Sequence, residues 1–206
     1  MEWVKWPRGE VIASAALEFH AGPKFLVSII DFKINSSVGE LAKEHLFEPM
    51  GITFNVIDEN LKYNTWADYI KPANQTWRKD PNGIETASFG LYLTARDMAK
   101  FGFLYLNKGK WENQNLLSEE WVELSTKEHV FNIYGRYSYG YQWYITNVGG
   151  HAAFLASGFG GQIIGIVPSL DLVVVLKYDA ENPVHPKPGT KHDDMHLFEL
   201  VVNAIG

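Results

Sequence analysis

Cysteine is missing altogether from the 206 residues of this chain. Its absence removes disulfides, thiolate nucleophiles and cysteine-ligated zinc, while leaving the cellular compartment open. No apolar run approaches the roughly 20 residues that span a bilayer. The densest stretch, Leu172–Leu176, stops after a few positions, so a soluble chain with no membrane partner is expected. The opening MEWVKWPRGEVIASAALEF carries Lys5 and Arg8 and then Glu10. It lacks the continuous apolar core of a signal peptide, which gives a cytoplasmic expectation by default. Excess positive charge is lacking as well: the formal net charge is -6 and Lys and Arg are scattered singly. Nothing in that pattern forms an electrostatic footprint for a phosphate backbone, and nucleic acid is not an expected partner.

Aromatic residues, in contrast, are abundant. Seven Trp, twelve Phe and ten Tyr, with 46% hydrophobic residues, exclude disorder as the main state. Eighteen Gly and nine Pro point to many turns between short elements and exclude a coiled coil. The length suits one ordinary domain or two small ones.

Residues 24–32, KFLVSIIDF, are too uniformly apolar for periodicity to choose between helix and strand. Ser37 and Glu40 have the spacing of a capping box, and Val38, Leu41, Ala42 and His45 follow at helical intervals, predicting a helix that ends near Phe47. Residues 52–85 hold isolated apolar positions among Asp, Asn, Pro and Gly and are expected to be a long irregular surface segment. Thr94 to Asp97 has the form of a second capping box, opening a helix that Gly109 stops. Arg96 is expected on that helix's surface and Asp97 at its cap. Ser118 is expected to cap a third helix, with Glu119 and Glu120 in its first turn and Lys127 and His129 near its last. After Tyr134 the segments YGYQWYIT, HAAFLAS, GQIIGIVP and LDLVVVLKY are short and rich in aromatic and β-branched residues, the pattern of successive antiparallel strands. The Pro168-Ser169-Leu170-Asp171 connection suits a hairpin, and all-apolar Leu172–Leu176 suggests a strand covered on both faces. Phe198, Val201, Val202 and Ile205 recur at i, i+3, i+4 and i+7, so a last helix should pack this face on the sheet. Residues 182–189, with three prolines, form the one linker-like run. The fold class expected is α+β, with a mainly helical and irregular segment over 1–133 and antiparallel strands plus a C-terminal helix over 134–206, as one compact unit or two lobes.

Several words of this sequence, in order, resemble the penicillin-recognising serine hydrolases: class C β-lactamases, D-alanyl-D-alanine peptidases and related esterases and amide hydrolases. ELAKEHLFEPMGI looks like the helix and turn that follow that family's tyrosine motif. Residues 87–123, ASFGLYLTARDMAKFGFLYLNKGKWENQNLLSEEWVE, are similar to its Gly-Leu, Thr-Ala-x-Asp and Lys-Gly-x-Trp pattern. YGYQWYI and ASGFGGQIIGIVPSLDLVVVL resemble its closing strands and hairpin. The resemblance runs from about Leu17 to the C-terminus and implies a β-lactamase/transpeptidase-like fold that is incomplete here, carrying its C-terminal part.

Chemistry in this family rests on a Ser one helical turn before a Lys, which places hydroxyl and amine within proton-transfer reach. No Ser-x-x-Lys occurs in this sequence, and neither Ser157 nor Ser138 sits in a Gly-x-Ser-x-Gly frame. At the position of the family's catalytic tyrosine the resemblance places Phe19, which has no ionisable oxygen. His20 beside it is a candidate replacement that titrates near neutrality, or a solvent-facing loop histidine. The family's Lys/His-Thr-Gly strand is matched by Ala156, Ser157 and Gly158, followed by Gly160 and Gly161. These residues are either an oxyanion strand or glycines that permit a bulge and close packing. Alanine at its first position removes the cation that would hold a β-lactam carboxylate and suits the amide-hydrolase and esterase side of the family. Tyr139, Tyr141 and Trp143 alternate along an expected strand, and Phe19, Tyr141 and Trp143 are candidate pocket walls or core residues. His192 and His196, flanked by carboxylates, are weak candidate metal ligands or part of an acidic helix start.

The resulting expectation is a β-lactamase-related homologue without its own nucleophile and inactive alone, whose parent activity would be ester or amide hydrolysis by acyl transfer. The alternative is a non-catalytic binding or assembly module. No cofactor is expected; the ligand, if any, is a small ester or amide, and an exposed sheet edge predicts a homo-oligomer.

Overall fold

The computed structural model describes residues 3–5, 11–13, 36–54, 76–79, 83–85, 90–133, 137–158, 161–177 and 194–206. The chain divides into two compact units, Met1–Thr94 and Ala95–Gly206. The segment KFLVSIIDF, residues 182–189, Phe19, His20, Phe159, Gly160 and His192 lie outside the described residues.

In the first unit, β1 (Trp3–Lys5) pairs antiparallel with β2 (Val11–Ala13). Helix α1 (Val38–Ala42) begins where the spacing predicts. Ser37 is extended, its hydroxyl accepts the Glu40 N–H at 3.1 Å, and the Glu40 carboxylate accepts the Ser37 N–H at 3.0 Å. That backbone N–H, followed by the Ser36 hydroxyl at 3.2 Å, holds the Glu40 carboxyl below its ordinary range. The helix widens into a π-turn over Lys43–Phe47, which buries Phe47 beside Phe54, ring centroids 4.7 Å apart. β3 (Thr76–Trp77) pairs with β4 (Leu91–Tyr92), and Lys79 bridges Glu85. This corrects one expectation. Within the supposed surface segment, Arg78 and Glu85 are each only 1% exposed.

The second unit opens with α2 (Ala95–Leu106), which starts just after Thr94. It is closed by Gly109, at φ +84, whose N–H reaches the Leu104 carbonyl at 2.8 Å. Arg96 is exposed as expected, but Asp97 is buried and pairs with Lys100 at 3.2 Å. A tight hairpin of β5 (Lys110–Trp111) and β6 (Gln114–Asn115) leads to α3 (Glu119–Ser125), capped by the Ser118 hydroxyl accepting the Trp121 N–H. The helix ends before Lys127, sooner than expected, yet His129 folds back so that its Nε2 lies 2.8 Å from the Leu124 carbonyl oxygen. Six strands follow as an antiparallel meander, paired in chain order: β7 (Val130–Ile133), β8 (Tyr137–Tyr139), β9 (Tyr144–Val148), β10 (His151–Gly158), β11 (Gln162–Val167) and β12 (Leu172–Leu176). Helix α4 (Asp194–Ile205) closes the chain. Two details depart from expectation. The sheet begins with β7, before Tyr134. YGYQW is also not one strand, because the chain turns at 140–143, with Gln142 at φ +67 and the Gly140 N–H donating to the Trp143 carbonyl.

Period-two alternation then decides which residue faces which helix. Leu155, Ile163, Val167 and Val174 form one buried cluster with Phe198 and Val202 of α4. Ile164 and Val173 point to the opposite face and meet α2. Each helix comes close because the opposing position is a glycine. A Cβ on Gly102 of α2 would lie 2.6 Å from Val173 Cγ1 and 2.9 Å from Ile164 Cγ2. A Cβ on Gly165 of β11 would lie 2.5 Å from the Phe198 ring. The sheet is therefore covered on both faces. The predicted α4 face is real as far as Val202. Ile205, at 56% exposure, extends past the sheet. No described helix is long and apolar enough to cross a membrane.

Gly102→Ala and Gly165→Ala should each destabilise the protein by ~1–3 kcal/mol in urea denaturation, the usual cost of overpacking a full core. Val173→Ala combined with Gly102→Ala should recover part of the loss, while combined with Gly165→Ala it should simply add.

Candidate functional site

The Ala156-Ser157-Gly158 stretch is the C-terminal end of β10, with Ala156 opposite Ile164, Ser157 opposite Ile163 and Gly158 opposite Gln162. Buried Gly161, at φ +83, donates its N–H to the Gly158 carbonyl at 3.2 Å. A left-handed φ at this position is glycine's to adopt without strain. Ser157 and Gly158 are exposed, whereas Ile163, directly across from Ser157, is fully buried. Ser157 and Gly158 thus lie exposed at the end of a strand whose partner residue Ile163 is buried. Among the described residues no imidazole or amine is hydrogen-bonded to Ser157, so nothing there activates its hydroxyl as a nucleophile.

The aromatic candidates are not brought to one wall. Tyr139 packs edge-on against Tyr144 at 4.9 Å. Tyr141 stacks on His129, with centroids 4.2 Å apart and planes 10° from parallel, while its N–H donates to the Ser125 carbonyl. Trp143 is 3% exposed and lies among Tyr105, Phe154 and Phe101 at 4.5, 5.2 and 6.3 Å. Burial pushes the Tyr105 phenol above its ordinary pKa, opposed by hydrogen bonding with Trp143, Ser125 and Trp121. His196 is half-buried on α4, and among the described residues no three acidic or imidazole groups gather as a metal site.

Two polar groupings escaped the sequence reading. In the first unit, Arg78 Nε donates to the Tyr92 hydroxyl at 2.6 Å and its guanidinium sits 4.9 Å from the same ring's centroid. Lys79 Nζ lies 3.3 Å from Glu85 Oε1, yet among the described residues neither Glu85 oxygen has a hydrogen-bond partner. Gly39 makes room for that carboxylate, since a Cβ there would lie 2.7 Å from Oε1. The Asp-Pro-Asn-Gly sequence between Lys79 and Glu85 is a turn signal that could have pointed to this pair, which is bridged antiparallel. In the second unit, His151 Nδ1 and Ser169 Oγ are 2.9 Å apart at the surface, on residues 18 apart in sequence, which no local pattern joins.

With this geometry in view, comparison with known proteins is decisive on one point. A family model described as Beta-lactamase matches residues 25–194, most of the chain. The chain belongs to the Beta-lactamase family. The matched range holds the Ala156–Gly161 region and the sheet, and it excludes Phe19 and His20. A 6-aminohexanoate-dimer hydrolase of Paenarthrobacter ureafaciens is 29% identical over 145 residues, 65% of this chain and 35% of its own length. Among solved structures, a candidate 6-aminohexanoate-dimer hydrolase from Bacillus anthracis superposes with a TM-score of 0.62 at 23% identity, covering 88% of this chain and 41% of that one. A penicillin-binding protein homologue from Caulobacter crescentus gives 0.52 at 14% identity, covering 77% of this chain and 51% of that one. The structural likenesses show the β-lactamase/transpeptidase-like fold, and the chain spans about a third of the length of the curated relative. It is a β-lactamase-related hydrolase homologue with partial coverage of that fold.

The buried phenol of this family member carries a pH signature. A phenol whose folded pKa exceeds its unfolded value of about 10 stabilises the fold fully below that pH and loses the contribution as pH rises through the folded pKa. Denaturant melts at pH 9 and pH 11 should show a steeper alkaline loss for the wild type than for Tyr105→Phe, whose curve is expected to be flatter.

Proposed function

We propose that this chain supplies the oxyanion-strand side of a β-lactamase-related serine hydrolase acting on small esters or amides, and that alone it does not turn them over. The observation that carries this is the combination of a paired Ala156-Ser157-Gly158 strand end, exposed at Ser157 and Gly158, with a sequence that holds no Ser-x-x-Lys. In the complete reaction a serine oxygen from outside this stretch attacks the substrate carbonyl and a base takes its proton. The carbonyl oxygen becomes an oxyanion that backbone N–H groups at the strand stabilise. Collapse of the tetrahedral intermediate then expels the alcohol or amine with a returned proton, and water releases the acyl group. Of these parts, this chain contributes the donor strand.

Ala156 favours neutral esters and amides, because no cation stands at that position to hold a β-lactam carboxylate. The hydrolase named among its relatives supports amide chemistry in the same direction. The missing Ser-x-x-Lys equally favours a second reading, a binding module that retains the fold and the strand without the reaction.

Purified protein should show no turnover of nitrocefin, p-nitrophenyl acetate, p-nitrophenyl butyrate or the linear 6-aminohexanoate dimer above the uncatalysed rate. Clear turnover of any of them, abolished by a serine-directed phosphonate, would overturn the proposal. Saturable stabilisation by a non-hydrolysable amide without turnover would favour the binding reading.

A further inference from the structure

We propose that Gln162 is the residue by which this strand end tells an amide from an ester, its side-chain carboxamide accepting the amide N–H of the substrate beside Gly158. The inference rests on the reading of Ala156–Gly158 as the substrate-facing strand, and it narrows that reading from esters and amides to amides. Register and alternation place the group. Gly158 is directly opposite Gln162 and Ala156 directly opposite Ile164, and directly opposed residues of an antiparallel pair share a face. Ile164 meets Gly102 of α2, so Ala156, Gly158 and Gln162 all belong to the α2 face of the sheet. Ser157 belongs to the other face, because its partner Ile163 lies in the cluster with Phe198 and Val202 of α4.

On the α2 face the strand end therefore presents a methyl group, a bare main chain and one polar side chain. That side chain lies over the strand, since a Cβ on Gly158 would be 3.0 Å from Gln162 Oε1. Gly158 is exposed and Gln162 half-buried. Among the described residues the carboxamide has no hydrogen-bond partner. Oε1 can accept the N–H of an amide laid along Gly158. The bridging oxygen of an ester has no hydrogen to donate and would set lone pair against lone pair. A site that hydrogen-bonds a substrate N–H disfavours an analogue without it, because the acceptor is then desolvated and left unpaired. Neither Ala156 nor Gln162 carries a charge, so the contact selects for the amide group itself and not for an ionised substituent.

The test uses the whole chain and a matched pair of neutral probes, N-ethylbutanamide and ethyl butanoate, with binding followed in NMR titrations of the backbone and side-chain amides. The wild type should bind the amide about tenfold more tightly than the ester, the ratio that one hydrogen bond supplies. The Gln162 side-chain signals should shift with the amide probe. Gln162→Leu should weaken amide binding to the level of the ester and leave the ester unchanged. Gln162→Glu, which keeps an acceptor at the same reach, should retain the preference, and a residue that merely packs would not separate these two variants. Gly158→Ala leaves Gln162 intact but pushes its carboxamide aside, so it should lower the preference by a second route. Denaturant melts confirm that each variant is folded before it is titrated. Equal wild-type affinity for the two probes, or a preference that survives Gln162→Leu, would overturn the proposal and leave the hydrolase reading standing. Binding of neither probe at about 10 mM, where millimolar ligands are mostly bound, would overturn the reading of the strand end as a substrate surface and this inference with it.

Discussion

Two close approaches hold the second unit together: Gly102 of α2 against Val173 and Ile164, and Gly165 of β11 against the Phe198 ring of α4. They lie on opposite faces of one sheet, so the strands are held between two helices and cannot slide without opening a void on one side or a clash on the other. An apolar β12 is stable here because both of its faces are covered. The β10–β11 register follows, since moving either strand by one residue would exchange the α2 face for the α4 face. With that register fixed, Ser157 and Gly158 must emerge beyond the clamped region, and Gly161 must close the turn in a conformation few other residues adopt without strain.

This arrangement separates framework from chemistry. Family membership and the fold rest on the matched sheet, helices and turns, while no Ser-x-x-Lys occurs in this sequence. Under the proposed function, the end of this clamped strand would supply electrostatic stabilisation, because donors aimed in advance need no reorganisation when charge develops. Donors alone neither form nor break a bond. Gly102, Gly165 and Phe198 act through packing, so the fold they hold does not depend on any reaction at the strand end.

Elements announced by local chemistry were legible in the sequence. The Ser37–Glu40 box and the Ser118 cap are hydrogen bonds between near neighbours, and Gly109 stops α2 through its own backbone. The strands from β9 to β12 followed from β-branched runs separated by turns. What was not legible depended on tertiary contacts. Trp143 looked like part of a ligand wall because it alternates with Tyr141 and Tyr139, but the turn at 140–143 breaks the alternation and sends it into the Tyr105 cluster. Arg78 and Glu85 sit in a stretch dense with turn residues, and the room for the Glu85 carboxylate is left by Gly39, some forty residues earlier. Ile205 satisfied the helical period and still points to solvent, since periodicity cannot say where the covering sheet ends. Of the candidate site, the Ala156–Gly158 strand end could be read; that no imidazole or amine among the described residues is hydrogen-bonded to Ser157 needed the structure.

The central claim is that the sheet is one clamped body from which the Ser157–Gly158 end projects. Native-state hydrogen exchange in rising denaturant tests this most directly. The hydrogen-bonded amides of Ile163, Ile164 and Ile166 should exchange only through global unfolding, with opening free energies equal to the denaturant-measured stability, while amides at the Gly158–Gly161 turn exchange through smaller openings. Exchange of the β11 amides through openings well below the global value would contradict the clamp, and with it the account of how this family member holds its strand in place.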